Sequence, residues 1–287
     1  MRWLLLIAVS VALAGCGAVG NASDGRLRVV AAENFWGSIA AQLGGDRVSV
    51  ESVIHNPATD PHDYEPTAAD ARDLAEAQLV VVNGIGYDPW ADKLLAANPV
   101  DGRDEIDVGD VLGLDKGDNP HRWYSPPDVR RVADAITASY KKLDPAHAAY
   151  FEARRVGALD GYNSLIARIR ERYAGVPVGA SESIVEPLAQ SLGLRLITPS
   201  GFMNAVSEGG EPSASDKAEA DRQIAGHQVK VWVYNSQNAT PDVKRLTSEA
   251  RAAGIPVVGV TETLAPESAT FEQWQSRQLR ALEEALG

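Results

Sequence analysis

The sequence predicts an α/β protein in which parallel β-sheets are covered by helices. Short runs rich in β-branched and apolar residues alternate with segments whose apolar residues recur every three or four positions. The same alternation occurs in both halves of the chain, on either side of a long segment with helical periodicity. Alternating strands and helices are typical of parallel sheets with flanking helices, so we expect two α/β lobes.

Four strands and four helices are predicted in the first half. Gly44 and Gly45 end the first helix, and Thr67 with Asp70 resembles a capping box that begins the second. The predicted strands are residues 27–31, 48–54, 78–82 and 105–108, and the predicted helices are residues 35–43, 67–77, 89–97 and 128–143.

The second half repeats this organisation after a helical linker. Apolar residues from Phe151 to Tyr173 recur at helical spacing and predict one long helix over residues 145–174. The alternative is two shorter helices with a turn at Gly161. The division is then an N-terminal lobe (26–144), a linking helix (145–174) and a C-terminal lobe (175–287). In the C-terminal lobe the predicted strands are residues 176–179, 194–197, 229–234 and 255–260, and the predicted helices are residues 184–192, 215–225, 241–253 and 270 onward.

The first fifteen residues are typical of a secretory signal peptide. Arg2 precedes an apolar run that is too short to span a bilayer, and small residues follow it. The string Leu13-Ala14-Gly15-Cys16 resembles the bacterial lipobox, which implies that Cys16 is acylated with more than one chain, palmitate included, and anchors the protein to a membrane. The alternative is an ordinary signal peptide with a chance cysteine. Residues 16–25 are expected to form a lipidated tether.

Composition excludes several classes of function and of site. A formal net charge of -12 argues against nucleic acid as a partner, because phosphates require a basic surface. Cys16 is the only cysteine, so an intrachain disulfide and a site with several thiolates are both excluded.

Two histidines and two glutamates follow predicted strands. His62 comes after the second strand and His121 after the fourth, each directly behind a proline. Glu182 and Glu262 follow the first and last strands of the second half. Ligands bind beyond the carboxyl ends of the strands in open α/β sheets, so the four side chains are candidates to meet in a cleft. Each has a plain alternative, an exposed loop histidine or an acid near a helix N-terminus.

Imidazole nitrogens together with carboxylate oxygens indicate a divalent transition metal. Zinc, manganese and ferrous iron accept this donor set, whereas the lack of a thiolate disfavours copper(I). The other histidines, His55, His147 and His227, are interpreted as surface residues or residues near helix ends.

Three motifs resemble those of the metal-binding solute-binding proteins of ABC importers, the cluster that includes the zinc- and manganese-binding lipoproteins. They are Asp60-Pro61-His62-Asp63-Tyr64-Glu65-Pro66-Thr67, the segment 83–90 and Asn119-Pro120-His121-Arg122-Trp123. The resemblance covers essentially the whole chain after the signal peptide. It implies two α/β lobes, each with a mainly parallel four-stranded sheet, joined by one long backbone helix.

The resemblance also implies a ligand set and a set of partners. His62, His121, Glu182 and Glu262 fall at the four metal positions, and Glu262 departs from the Asp of many members by one methylene. The metal would be the transported ligand, delivered to the permease and ATPase of an importer by a monomer anchored outside the cytoplasm. Zinc-acquiring members often carry a His-rich loop after the third strand. Here no histidine occurs between Gly84 and Asp110, which, together with the donor set of two histidines and two carboxylates, favours manganese or a site that accepts both metals.

Two other functions are compatible with these residues. A metal-dependent hydrolase uses the same ligands when one coordination position stays open for water. We find no further acid or histidine clearly placed as a general base beside the ligand loops. An adhesin or a lipoprotein that binds an organic solute is the other alternative.

Overall fold

The computed structural model describes residues 25–57, 59 and 64–287 and contains two parallel four-stranded sheets. Every strand pair in both sheets is parallel, which confirms the predicted fold class. The strands are β1 (Leu27–Glu33), β2 (Val48–Ile54), β3 (Leu79–Val82), β4 (Asp104–Asp107), β5 (Pro177–Ala180), β6 (Arg195–Leu196), β7 (Val231–Asn235) and β8 (Val257–Val260). The first sheet has the order β2-β1-β3-β4 and the second the order β6-β5-β7-β8.

Helices cover both sheets. Thr67 caps the second of them by accepting hydrogen bonds from the backbone of Ala69 and Asp70, and the Asp70 carboxylate accepts from the Thr67 backbone, so the predicted capping box is present. No helix in the described part of the chain is both long enough and apolar enough to cross a bilayer. The helices are α1 (Asn34–Gly44), α2 (Ala68–Glu76), α3 (Pro89–Ala97), α4 (Val108–Leu112), α5 (Pro126–Leu143), α6 (Ala148–Arg155), α7 (Asp160–Tyr173), α8 (Glu186–Leu192), α9 (Ser200–Ser207), α10 (Ala214–Ala225), α11 (Pro241–Ala252) and α12 (Phe271–Leu286).

The predicted single helix over residues 145–174 is two helices, α6 and α7. The chain leaves the helical conformation at residues 156–159, where Gly157 has a φ of 78°. This left-handed conformation is readily adopted by glycine and takes the backbone out of a right-handed helix. Val156 is 75% exposed at the break. Gly161, the turn position in the alternative prediction, lies inside α7, so the break comes earlier in the chain.

One hydrophobic core continues from the first sheet into the second. It joins Val29 and Trp123 on one side to Val178 and Val233 on the other, and Trp274 of α12 belongs to it. Helix α12 packs against α7 and β8 and also contacts α1. Separating the two sheets would expose this apolar surface to water, so the shared core stabilises their position relative to each other.

The strand order places the same edge of both sheets at the candidate site. In the first sheet the connection after β1 leads to β2 at one edge and the connection after β3 leads to β4 at the other, and β5 and β7 of the second sheet are arranged in the same way. The point where the strand order reverses, at which ligands bind in open α/β sheets, therefore lies at the carboxyl ends between β1 and β3 and between β5 and β7. The segments that follow β3, β5, β7 and β8 all begin at these carboxyl ends.

Candidate metal centre

Three of the four predicted ligands are buried at the carboxyl ends of the strands. His121 is 2% exposed, Glu182 is 1% exposed and Glu262 is 7% exposed. Polar side chains with so little exposure require hydrogen-bond or metal partners, because burial without a partner is costly. His62 lies outside the described residues, as does Cys16.

Asn119 fixes the proton on the His121 ring. The amide nitrogen of Asn119 donates to the Ser183 carbonyl at 2.8 Å and to Glu186 Oε2 at 2.9 Å. Its oxygen therefore faces His121, where it accepts from the backbone N–H at 3.1 Å and lies 2.9 Å from Nδ1. Because that oxygen is an acceptor, Nδ1 carries the hydrogen of the neutral ring. Nε2 is then the ring nitrogen that carries the lone pair.

An aromatic wall supports the other side of the His121 ring. Trp123 meets His121 edge to face at a centroid distance of 5.2 Å, and Tyr87 does so at 6.0 Å. Trp123 in turn stacks on Phe35 at 3.9 Å. All three aromatic side chains are fully buried, so the position of the imidazole is set by packing as well as by the bond to Asn119.

The Glu262 carboxylate is held from both sheets. Asn235, at the end of β7, donates to Oε1 at 2.8 Å, and the phenol of Tyr87, beyond β3, donates to Oε2 at 3.0 Å. Burial, then the nearby charge of Glu262, raises the pKa of Tyr87 well above its ordinary value, so the phenol keeps its proton and donates. Tyr87 contacts both His121 and Glu262 and so connects the histidine wall to this carboxylate.

The Glu182 carboxylate is oriented by a neighbouring amide. Asn238 donates from Nδ2 to Glu182 Oε2 at 2.8 Å and to the Val206 carbonyl at 3.1 Å. Glu182 comes between β5 and α8, and the Asn119 amide binds the carbonyl of the next residue, Ser183. Asn119 thereby links the loop of His121 to the loop of Glu182.

The described residues supply one nitrogen donor and two oxygen donors within a connected network of contacts. Across residues 25–57, 59 and 64–287, no three His, Cys, Asp or Glu side chains form a group that could hold a metal ion. A cavity of about 440 Å³ lies beside His121 and is lined by Asn119, Ser183 and Glu186 among others. The network is compatible with a cation site that is completed by a further ligand.

The family of the chain is decided by a match over nearly its whole length. Residues 29–285 match the model of the family described as zinc-uptake complex component A periplasmic. The chain belongs to this family. The fold, the motifs and the buried site described above are therefore those of a member of the zinc-uptake complex component A family.

Known relatives share about a quarter of their aligned residues with this chain. The manganese-binding lipoprotein MntA of Halalkalibacterium halodurans is 26% identical over 179 residues, which cover 60% of this chain and 59% of that protein. The manganese ABC transporter substrate-binding lipoprotein PsaA of Streptococcus pneumoniae is 24% identical over 277 residues, covering 91% and 80%. The chain thus spans about three-fifths of the first of these relatives.

Solved structures share the fold at low sequence identity. The Mn-bound S38A mutant of a periplasmic metal-binding protein from Candidatus Liberibacter asiaticus has a TM-score of 0.77 and 21% identity, with 91% of this chain and 100% of that chain covered. The substrate-binding protein FpvC of Pseudomonas aeruginosa, in complex with Mn²⁺, has a TM-score of 0.72 and 22% identity, with 91% and 98% covered.

Several residues that organise the site had no assigned role in the sequence interpretation. Tyr87 and Asn119 lie in the motifs that resemble the family, yet nothing in their spacing indicates which side chain each would contact. Asn235 and Asn238 come directly after the predicted strand at residues 229–234. Their position beyond strand ends is the one signal that relates them to the site.

The other histidines lie in other parts of the fold. His55 Nδ1 is 3.1 Å from the Ser52 carbonyl, and His147 Nδ1 is 2.7 Å from Asp144 Oδ2 at the end of α5. His227 follows α10 with a φ of 49°. His55 and His147 thus each contact a residue three positions earlier in the sequence, and His55 Nε2 also lies 3.9 Å from Glu267 Oε1.

A buried pair of acids lies beneath the site in this family member. Asp88 accepts from the backbone N–H groups of Asn83 at 2.7 Å and Gly84 at 2.8 Å. Burial raises the pKa of Asp88 to about 7, and burial followed by the charge of Asp88 raises the pKa of Glu33 well above its usual range. Asn83 donates to the carbonyl of Pro120, the residue before His121, so this acid pair supports the histidine loop through Asn83.

Replacing Glu33 with glutamine is expected to flatten the pH dependence of stability. A carboxyl whose pKa is raised by folding binds its proton more tightly in the folded chain. The free energy of unfolding therefore falls as the pH rises from the unfolded pKa to the folded pKa, by at most about 1.4 kcal/mol per pH unit for each group. Glu33→Gln removes this contribution above about pH 4.3, the unfolded pKa of a glutamate.

Urea denaturation in chelator at several pH values between 5 and 8 measures the effect. Glu51→Gln, at an exposed position of β2, is the matched control and should follow the wild-type curve. Parallel curves for wild type and Glu33→Gln would contradict the predicted proton uptake.

Proposed function

We propose that this chain is the extracytoplasmic substrate-binding protein of an ABC importer for a divalent transition metal. It captures zinc or manganese, with ferrous iron also possible, between the two lobes and delivers the ion to a membrane permease driven by its ATPase. The observation that carries the proposal is the burial of His121, Glu182 and Glu262 in one network whose contacts cross between the two sheets.

The four predicted ligands are His62, His121, Glu182 and Glu262, and the ion is cargo rather than a resident cofactor. His121 binds through Nε2, because Nδ1 donates to Asn119, an arrangement common among metal-ligating histidines. Two imidazole nitrogens and carboxylate oxygens suit zinc and manganese alike. By the Irving–Williams order, such a site binds zinc at least as tightly as manganese, whichever ion the cell supplies.

The relatives support transport rather than catalysis. MntA and PsaA are named as metal-binding or substrate-binding lipoproteins, and FpvC was solved with Mn²⁺. Within this proposal Cys16 carries the lipid anchor, the two lobes span residues 26–144 and 175–287, and a monomer works on the outer side of the cell membrane. A binding protein needs no turnover, so we expect no hydrolytic activity.

Metal binding by the purified protein tests the proposal. Protein freed of metal with chelator is expected to bind one zinc or one manganese ion per chain in calorimetry, with magnesium as the control ion that does not bind comparably. At a free metal concentration of about 100 times Kd, binding stabilises the folded state by about 2.7 kcal/mol, and the thermal midpoint rises accordingly.

Two results would overturn the proposed function. A folded protein whose thermal midpoint ignores zinc and manganese has no such site. Metal-dependent hydrolysis of phosphate or acyl esters by the wild type, lost on removal of His121, would assign the site to an enzyme instead.

A further inference from the structure

A four-residue segment that begins at the last residue of β7 holds both carboxylates of the candidate site. This amide segment comprises residues 235–238, and its Asn235, Gln237 and Asn238 side chains all point their amides into hydrogen bonds with the ligand loops. Asn235 binds Glu262 Oε1, and Asn238 binds Glu182 Oε2, each at 2.8 Å. The two glutamates are 80 positions apart in the sequence and arrive from different strands, so the segment is the element that they share.

Gln237 fixes the backbone around Glu262. Its side-chain oxygen accepts from the N–H groups of Glu262 at 2.6 Å and Thr263 at 3.1 Å. Its amide nitrogen donates to Thr263 Oγ1 at 2.8 Å and to the carbonyl of Pro57, which follows β2 of the other sheet. The segment itself is braced, because the Gln237 backbone N–H donates to Asn235 Oδ1 at 2.9 Å.

From these contacts we infer that Asn235 and Asn238 are positioning residues that set the selectivity of the site between zinc and manganese. The inference rests on the proposed function. A hydrogen bond from an amide or a phenol restrains the rotation of a carboxylate and occupies a lone pair of the oxygen that accepts it, so the carboxylate turns less readily to bind an ion through both oxygens. Glu262 is restrained twice, since Tyr87 holds Oε2 while Asn235 holds Oε1.

Fixed carboxylates keep the number of donors low. If each glutamate presents one oxygen, then together with two imidazoles they give four donors, the number that zinc adopts. Manganese favours octahedral sites rich in oxygen, which a freely rotating, bidentate carboxylate approaches more closely. The amide segment therefore favours zinc over manganese relative to the same ligands without it.

The experiment compares Asn235→Ala and Asn238→Ala with Ser236→Ala. Ser236 belongs to the same segment, but its hydroxyl donates to the Val260 carbonyl and contacts neither glutamate, so it is the matched control. Zinc and manganese affinities are measured by competition calorimetry, and Co²⁺ replaces the metal as a spectroscopic probe. Four-coordinate Co²⁺ absorbs visible light much more strongly than six-coordinate Co²⁺.

Both asparagine variants are expected to lose about 10-fold to 100-fold in zinc affinity, with a smaller loss for manganese. Their Co²⁺ absorption should weaken, while Ser236→Ala matches the wild type. Asn235 is fully buried whereas Asn238 is half-buried, so Asn238→Ala provides the test if Asn235→Ala does not fold.

Equal losses for the two metals with an unchanged Co²⁺ spectrum would overturn the inference, because they indicate a merely structural role. Wild-type affinities in both folded variants would overturn it as well. These outcomes differ from failure of the proposed function, in which the wild-type protein itself binds neither metal.

Discussion

Replacing His121 with alanine is expected to lower the affinity for zinc and for manganese by at least about 100-fold, which corresponds to about 2.7 kcal/mol of binding free energy. The variant loses one of the two nitrogen donors proposed for the ion. Water is a weaker donor than an imidazole held in place by Trp123 and Tyr87, so it does not make up for the loss. Calorimetry on metal-free protein measures the loss.

His147→Ala is the matched control for this experiment. His147 is bound to Asp144 at the end of α5, away from the network of His121. Its removal should leave metal affinity unchanged. The same large loss is expected for His62→Ala, which remains a prediction from the motif alone. Wild-type affinity in a folded His121→Ala protein would remove this residue from the ligand set.

Replacing Trp123 with alanine is expected to lower the free energy of unfolding of the metal-free protein by about 3–5 kcal/mol. The indole is fully buried, stacks on Phe35 at 3.9 Å and meets Tyr87 at 5.1 Å. Its truncation leaves a cavity in the core shared by the two sheets, and the surrounding rings relax into it only in part. Urea denaturation in the presence of chelator measures the change without a contribution from bound metal.

Trp123→Phe tests whether the loss of stability depends on the volume of the side chain, because phenylalanine keeps an aromatic ring in the core. The indole Nε1 donates to no acceptor in the described part of the chain, so phenylalanine removes no hydrogen bond. We expect this variant to lose less than half as much stability as Trp123→Ala. If Trp123→Ala were destabilised by less than about 1.5 kcal/mol, the indole would not be a central part of this core.

Local sequence patterns predicted most of the fold. The β-branched run of β2 has the predicted bounds, Val48–Ile54, and the capping box at Thr67 begins α2 as expected. Helix α3 also has its predicted bounds, Pro89–Ala97, because proline is favoured in the first turn of a helix. These features depend on residues that are close in sequence, and so their physical cause is visible in the chain itself.

In the segment between the two halves, hydrophobic periodicity predicted helical structure but not the break within it. The apolar residues continue at helical spacing through the region, yet Gly157 adopts a positive φ and separates α6 from α7. The residues on both sides of the break are helical, but the spacing of apolar residues does not determine whether they form one continuous helix or two. The lobe boundaries on either side of this region stay a prediction.

The sequence by itself determined the candidate donors, two imidazoles and two carboxylates placed after predicted strands, and the class of ion that such donors suit. Only the tertiary structure decided which groups orient them. Tyr87 reaches Glu262 across 175 positions, and Asn119 reaches Ser183 across 64. Such hydrogen bonds form because two sheets pack over a common core, so their directions and the proton position on His121 follow from the folded arrangement rather than from any local pattern.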